Sequence, residues 1–458
     1  MTPSPSPAVP GRHPGMLERL GLHRRELRAW AMYDWAASAV QTTIQVAVFP
    51  IYFIQVAGAE FAEPQANQYL AYANSISIAI VALLSPILGA IADYSAVKKR
   101  MLGTFLGVGV TAAALMFFIE RGDIVMAAAL FVAANVAVSG SFVFYESLLP
   151  HIASEKEIDR VSTAGFAFGY LGGGILLAFN LAWILYPEIF GLTASPTLPT
   201  RVAFASVAIW WLAFSLPLFR RVPEPPRMLE EDERKGVNPL RAAMRRLRET
   251  FQELRGYKQA FLMLLAFLIY NDGITTIQKM AAPYGTELGI SQSALIGSIL
   301  IVQFVGVPFS FLFGWIAGRI GTKRAIFAGL AVYAVISIFG FFMQTATHFF
   351  ILALLVGMVQ GGTQALSRSL FATMIPRHKS GEFFGFFSVF SKFAGIFGPL
   401  LFAFMIELSG SGRYGILSVI AFFFIGGGLL ALVNPAEGER VAREADAHTR
   451  IATVPASA

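Results

Sequence analysis

The sequence predicts an all-α polytopic membrane protein, with twelve transmembrane helices in two pseudo-symmetric halves of six. Three observations carry that prediction. Of 458 residues, 56% are hydrophobic and only 14% charged, against roughly 25% charged in soluble domains. Apolar stretches long enough to cross the hydrocarbon recur twelve times, six on each side of one charged break. A short loop, GAIADYSAVKKR at 89–100, returns at an offset of 225 as GWIAGRIGTKR at 314–324. Gly89, Ile91 and Ala92 match Gly314, Ile316 and Ala317, and Lys98-Lys99 match Lys323-Arg324. A charged turn between apolar helices must sit at a membrane surface, because hydrocarbon cannot satisfy its backbone. Two copies at one offset signal a duplicated membrane unit.

Residues 1–28 form an N-terminal tail, Pro/Ser-rich up to residue 14. From Met16 to Arg28, Met16, Leu20 and Leu27 alternate with Arg19, Arg24, Arg25 and Arg28, the pattern of a short interfacial helix on an anionic leaflet. The N-terminal half occupies 29–219, with spans near 29–56, 70–92, 101–119, 124–149, 161–186 and 202–219. The break at 220–258 opens with RRVPEPPR and an acidic run from Glu230 to Glu233. Asn238 and Pro239 then suit a helix start, and Leu240, Met244, Leu247, Phe251 and Leu254 recur at helical spacing among arginines. That predicts an amphipathic helix under the membrane domain. The C-terminal half follows at 259–433, with spans near 259–283, 293–317, 325–343, 348–375, 383–406 and 414–433, and residues 434–458 form a tail.

The net charge of +7 suggests nucleic acid only until the charges are placed. Of 35 Lys and Arg, Arg121, Arg201, Lys279 and Arg413 fall at connections on one side, and the rest lie on or near the other. The excess of basic residues therefore predicts that both termini are cytoplasmic, and no nucleic-acid partner is expected. With no Cys there is no disulfide or thiolate chemistry. No phosphate loop, metal-spaced His cluster or nucleophile–base pair occurs, so an enzyme, a cofactor and a metal are not expected. A monomer is.

Ionisable residues inside spans are expensive and mark function by default. In span 1, Asp34, Ser38, Gln41 and Gln45 share a helical face. In span 4, Asn135, Ser139, Phe142 and Glu146 repeat the pattern. Two readings of Glu146 stay open: a structural gate pairing with Lys156 or Arg160, or a proton shared with Asp34. In span 7, Asn271 and Asp272 fall near mid-membrane, with Thr276 and Lys279 on the Asp272 face. Span 10 offers Gln360, Gln364 and Ser367 on one face with Arg368 beside them, and span 11 carries Lys392, for which Asp272 is the natural partner. Pooled, these groups suit a small polar solute with a carboxylate. The repeated loop supplies a candidate gate from Asp93, Lys98, Lys99 and Arg100 in one copy and Arg319, Lys323 and Arg324 in the other. Asp93 has no acidic twin, Gly318 standing in its place, and Asp34 does not align with Asp272. At an offset of 226, Ser141, Pro150, Gly169 and Gly172 match Ser367, Pro376, Gly395 and Gly398.

Parallel six-helix halves and this repeated loop resemble the major facilitator superfamily. Within it, WAMYDWAASAVQTTIQVAVFPIYF (30–53), FYESLLPHIA (144–153), STAGFAFGYLGGG (162–174), NDGITTI (271–277) and above all VQGGTQALSRSLFATMIPRHKSGEFFGFF (359–387) resemble the vacuole-effluxer-like permeases, through nearly all twelve spans. Glu146 and Ser391 depart from that family's pattern. The resemblance implies a small-molecule permease, with amino acids among the candidate solutes. The expectation is a secondary active transporter working by alternating access with proton coupling. A uniporter of the same fold and a transporter-like nutrient sensor are the alternatives.

Overall fold

The computed structural model describes residues 15–61, 63–226, 228–229, 256–290, 292–447 and 450–451. Among the described residues, ten helices are long and apolar enough to cross a membrane, and the bent pair Arg25–Ala47 and Phe49–Ala57 makes an eleventh if taken as one span. One more crossing is split into Ser380–Phe393 and Phe397–Ser409. Spans 2 to 6 are Glu63–Ser95, Lys98–Leu115 with a short extension to Phe118, Ile124–Ile152, Ile158–Leu185 and Leu198–Arg221. Spans 7 to 10 are Lys258–Glu287, Gln292–Ile320, Thr322–Phe341 and Ala346–Thr373. Span 12 is Gly412–Ser418 continued by Ile420–Leu432. The predicted all-α, two-half architecture is the architecture observed.

Span 1 is irregular for a local reason. Pro50 cannot donate a backbone N–H, so the ladder around it must be rebuilt. Val40–Ala47 and Phe53–Ala57 are wound as π-helix on either side of Phe49–Tyr52, and the axis bends by 40°. Span 11 breaks instead at glycine: Gly395 sits at φ +95°, where a side chain is strained.

Glycines also set how closely spans approach, the usual route to tight packing in lipid. A Cβ on Gly169 would lie 2.6 Å from Ser38 Oγ, and one on Gly172 would overlap the Trp35 carbonyl. Span 5 therefore packs backbone-close on span 1. Where span 2 of one half meets span 11 of the other, Gly89 faces the Gly381 backbone with no room for a side chain.

Three details differ from the sequence prediction. The N-terminal interfacial helix is only Met16–Arg19, and a second helix already starts at Arg25, so span 1 begins four residues earlier than expected. The C-terminal tail carries a helix, Pro435–Ala447. A two-residue antiparallel pair, Met228–Leu229 with Arg450–Ile451, joins the linker to that tail, the strand pairing that an all-α prediction does not contain. The predicted amphipathic helix at 240–254 lies outside the described residues.

The helices Met16–Arg19 and Pro435–Ala447 lie on one face, called here the tail face. Arg24 Nη2 donates to the Ile152 carbonyl at 2.6 Å, and Asp446 accepts from the Arg377 and His378 backbone.

Candidate functional site

The two halves are stitched together on the tail face. Asp93 and Lys98 form a buried ion pair at 2.7 Å. Asp93 Oδ2 also accepts the Glu382 N–H at 3.0 Å, and Lys98 Nζ donates to Ser380 Oγ at 2.6 Å. One loop thus grips the start of span 11 in the other half. The reciprocal junction uses hydroxyls: Thr322 and Ser369 both donate to the Asp159 carboxylate, at 2.6 and 2.5 Å.

The other basic residues of the repeated loop do something else. Lys99 Nζ donates to the carbonyls of Phe219 and Val222, at the end of span 6. Lys323 Nζ donates to those of Ala431 and Val433, at the end of span 12. Each caps unsatisfied helix carbonyls of its own half. This corrects the sequence register: Lys323 is the equivalent of Lys99, not of Lys98, because the second loop is one residue shorter. Arg100, Arg319 and Arg324 are exposed, and Arg319 lies 3.8 Å over the Trp315 ring. Of the seven candidate gate residues, Asp93 and Lys98 reach the opposite half.

Deeper from the tail face, Arg368 of span 10 is inserted into the N-terminal half. It is 1% exposed, so it does not snorkel to the surface. Its guanidinium lies 3.6 Å from Asp34 and 3.8 Å from Glu146. It donates to Ser162 Oγ at 2.9 Å and to the Ser162 carbonyl at 2.8 Å. The Trp30 and Phe166 rings flank it at 5.1 and 4.6 Å, within cation–π range. Tyr145 and Ser38 donate to opposite oxygens of Asp34, at 3.3 and 3.4 Å. Trp30 in turn is stacked on Tyr145 at 4.4 Å and donates to its carbonyl. Gly165 leaves room for all of this, since a Cβ there would sit 3.2 Å from both Arg368 and Asp34.

Sequence reasoning found Asp34, Ser38, Glu146 and Arg368, but not that they meet. Glu146 meets Arg368, a contact that neither reading of Glu146 contained. Ser162, Tyr145 and Trp30 were missed; their signal was present in the STAG, FYES and WAMYDW stretches, yet neutral side chains do not announce themselves. Asp34 lies nine residues into a helix that starts at Arg25, about 14 Å deep at 1.5 Å per residue.

The remaining candidates form separate pairs. Gln45 donates to Asn135 at 2.6 Å within the N-terminal half, one turn from Gln41. Gln364 donates to Asn271 at 3.1 Å within the C-terminal half, and Gln360 lies against the Tyr170 hydroxyl of span 5. Asp272 is 1% exposed and accepts three backbone N–H groups, from Gly395 at 2.7 Å, Phe397 at 3.1 Å and Gly398 at 3.0 Å. Phe397 and Gly398 are free donors at the start of the half-helix Phe397–Ser409, and Gly395 belongs to the break before it. The Lys392 side chain lies outside the described residues, and so does its expected pairing with Asp272.

Asp34 and Asp272 share a local pattern. Each stands four residues before a hydroxyl, Ser38 or Thr276, on the first span of its half. Each lies beside a glycine of the span packed against it: a Cβ on Gly169 would sit 2.9 Å from Asp34, and one on Gly398 2.9 Å from Asp272.

Comparison with known proteins agrees with this architecture. The family model described as vacuole effluxer Atg22 like matches residues 60–443. YxiO of Bacillus subtilis, an uncharacterized MFS-type transporter, is 36% identical over 410 residues, 89% of this chain and 95% of that protein. Autophagy-related protein 22 of Yarrowia lipolytica is 27% identical over 309 residues, 62% of this chain and 51% of that protein. Among solved structures, the human organic anion transporter MFSD10 aligns with a TM-score of 0.66 at 12% identity, covering 91% of this chain and 100% of that one. The proton:xylose symporter XylE aligns with a TM-score of 0.67 at 15% identity, covering 93% and 98%. At such identities the structures establish the major facilitator fold alone. The relatives and neighbours are transporters, not enzymes. With a family match over most of its length and a close relative covered almost end to end, the chain belongs to the vacuole effluxer Atg22-like family of MFS-type membrane transporters.

Proposed function

We propose that this transporter is secondary active, moves a small polar solute bearing a carboxylate, with amino acids foremost, and couples that movement to protons. It works by alternating access between the halves 29–219 and 259–433. Both termini, and so the tail face, are cytoplasmic by the distribution of basic residues. The described conformation is the one closed on that face.

One observation carries the reading: a guanidinium from one half is buried between two carboxylates of the other. Removing either partner from such a site is costly, so a carboxylate displaced from it needs a new partner or a proton. A solute carboxylate reaching Arg368 takes the place of Asp34 or Glu146. Protonating Asp34 or Glu146 weakens that carboxylate's hold on Arg368, so a proton acts where the solute carboxylate binds. Solute and proton thus compete for the same three side chains, which is the requirement for coupling. Asp93, Lys98, Asp159 and Thr322 act as the cytoplasmic gate, since their bonds across the halves must open when the halves rock. The amide pairs Gln45–Asn135 and Gln364–Asn271, with Gln41 and Gln360 beside them, line the path beyond the charged triad.

The test begins with a thermal-shift screen of amino acids and small carboxylates on purified protein, followed by counterflow of the radiolabelled hit in proteoliposomes carrying an internal pH dye. Wild-type protein should acidify or alkalinise the lumen with solute flux, and Asp34→Asn and Glu146→Gln should abolish that signal. An unchanged pH signal in both variants removes the triad from coupling, and binding without counterflow favours the nutrient sensor.

A further inference from the structure

Span 11 is the one crossing in which two helical pieces are separated by a non-helical glycine hinge, and its pseudo-equivalent, span 5, is continuous from Ile158 to Leu185. We propose that Asp272 is a positioning residue: from span 7 it pins the outer half-helix Phe397–Ser409 at its N-terminus, so that this half-helix pivots about Gly395 as the outer side of the C-terminal half opens and closes. This departs from the sequence reading, in which Asp272 meets the solute directly.

The geometry leaves little freedom for another role. Both carboxylate oxygens are engaged, Oδ1 by Gly395 and Gly398 and Oδ2 by Phe397. A carboxylate on backbone N–H groups at a helix start satisfies donors that would otherwise be orphaned in a water-free interior, and it meets the positive end of the helix dipole. The docking surface is shaped to match. A Cβ on Gly398 would overlap the Thr276 hydroxyl and sit 2.9 Å from Asp272 Oδ1, so only glycine lets the half-helix seat. Lys279, two turns further along span 7, donates to the Gly395 carbonyl at 3.4 Å, holding the other side of the break. Gly395 at φ +95° supplies the hinge, and Ala394 ends the inner piece in an extended conformation at ψ 130°. Among the described residues, the bonds at the joint run between spans 7 and 11 of one half, so the pivot moves without disturbing the closure of the tail face.

Hydrogen–deuterium exchange of the full chain in lipid nanodiscs tests this without a solute. Asp272→Ala should speed exchange of the 395–398 amides by about tenfold or more while segments 162–174 and 361–370 stay unchanged. Gly398→Ala, which attacks the same joint from the other side, should do likewise, and serves if the first variant does not fold. Because the chain has no Cys, spin labels at Leu408→Cys and Leu185→Cys can follow the outer ends, each 66% exposed in the native protein. The distance distribution should broaden in Asp272→Ala with the melting transition still cooperative. Native protection at 395–398 in a folded Asp272→Ala or Gly398→Ala variant, or an unaltered spin-label distance, overturns the proposal. Failure here leaves the Arg368 reading untouched, since neither variant alters the triad.

Discussion

Asp34 and Asp272 each sit on the first span of a half beside a glycine of span 5 or span 11, yet the two halves satisfy them in opposite ways. In the N-terminal half span 5 is unbroken, and its N–H groups are consumed by its own helix. Asp34 therefore finds its charge partner in the other half, at Arg368. In the C-terminal half span 11 breaks at Gly395, and the freed N–H groups hold Asp272 within its own half. The repeat makes the asymmetry plain from the other side too: at the offset of 226 that matches Ser141 to Ser367, the residue facing Arg368 in the alignment is Phe142. A duplicated fold has put a first-span carboxylate to structural use in one half and to an inter-half contact in the other. Only the second kind must change when the halves move.

The largest effect expected on this contrast is at Arg368. Arg368→Ala removes the buried cation between Asp34 and Glu146, which should cost about 3–5 kcal/mol of stability, read by thermal unfolding in detergent. Adding Asp34→Asn and Glu146→Gln to that variant should restore most of the loss, and adding Asp272→Asn should restore none. If Asp272→Asn restores it equally, the two carboxylates belong to one network and the contrast fails.

Asp272→Ala comes next, at about 2–3 kcal/mol for leaving buried backbone donors unpaired. Its cost should add to that of Arg368→Ala within about 0.5 kcal/mol, as for sites without shared partners. A larger coupling would mean that the hinge and the triad communicate in this conformation.

Packing around Asp34 gives a third test. Gly169→Ala places a Cβ 2.6 Å from Ser38 Oγ and 2.9 Å from Asp34, and overpacking of that kind costs about 1–3 kcal/mol. Gly107→Ala, in open space on span 3, should be neutral or stabilise by up to about 1 kcal/mol through helix propensity. The smallest effects lie at the two equivalent caps. Lys99→Ala and Lys323→Ala should each cost about 1 kcal/mol and be additive in the double variant, since each closes its own half. A cost several times larger for Lys99 would assign it to the gate as well.

Much of the fold was legible because membrane insertion is read from composition along the chain. Spans 3 to 10 fall within a few residues of their sequence bounds, the span 2 helix starts seven residues before its own, and the duplicated loop identified the two halves. The candidate residues were legible one at a time, since an ionisable side chain in an apolar run needs a reason. Their partners were not. Glu146 has Lys156 and Arg160 close by in sequence, and its contact with Arg368 reaches more than two hundred residues away. The Lys99–Lys323 equivalence was hidden by a one-residue difference in loop length, which sequence matching absorbed by pairing the wrong lysines.

The sequence by itself determined the class of molecule, the number of crossings, the duplication and the short set of costly residues, because each follows from local polarity set against a uniform apolar solvent. Only the tertiary structure decided which carboxylate is held by a helix start and which by a cation. That choice depends on whether the neighbouring span, far away in sequence, has backbone N–H groups left to give.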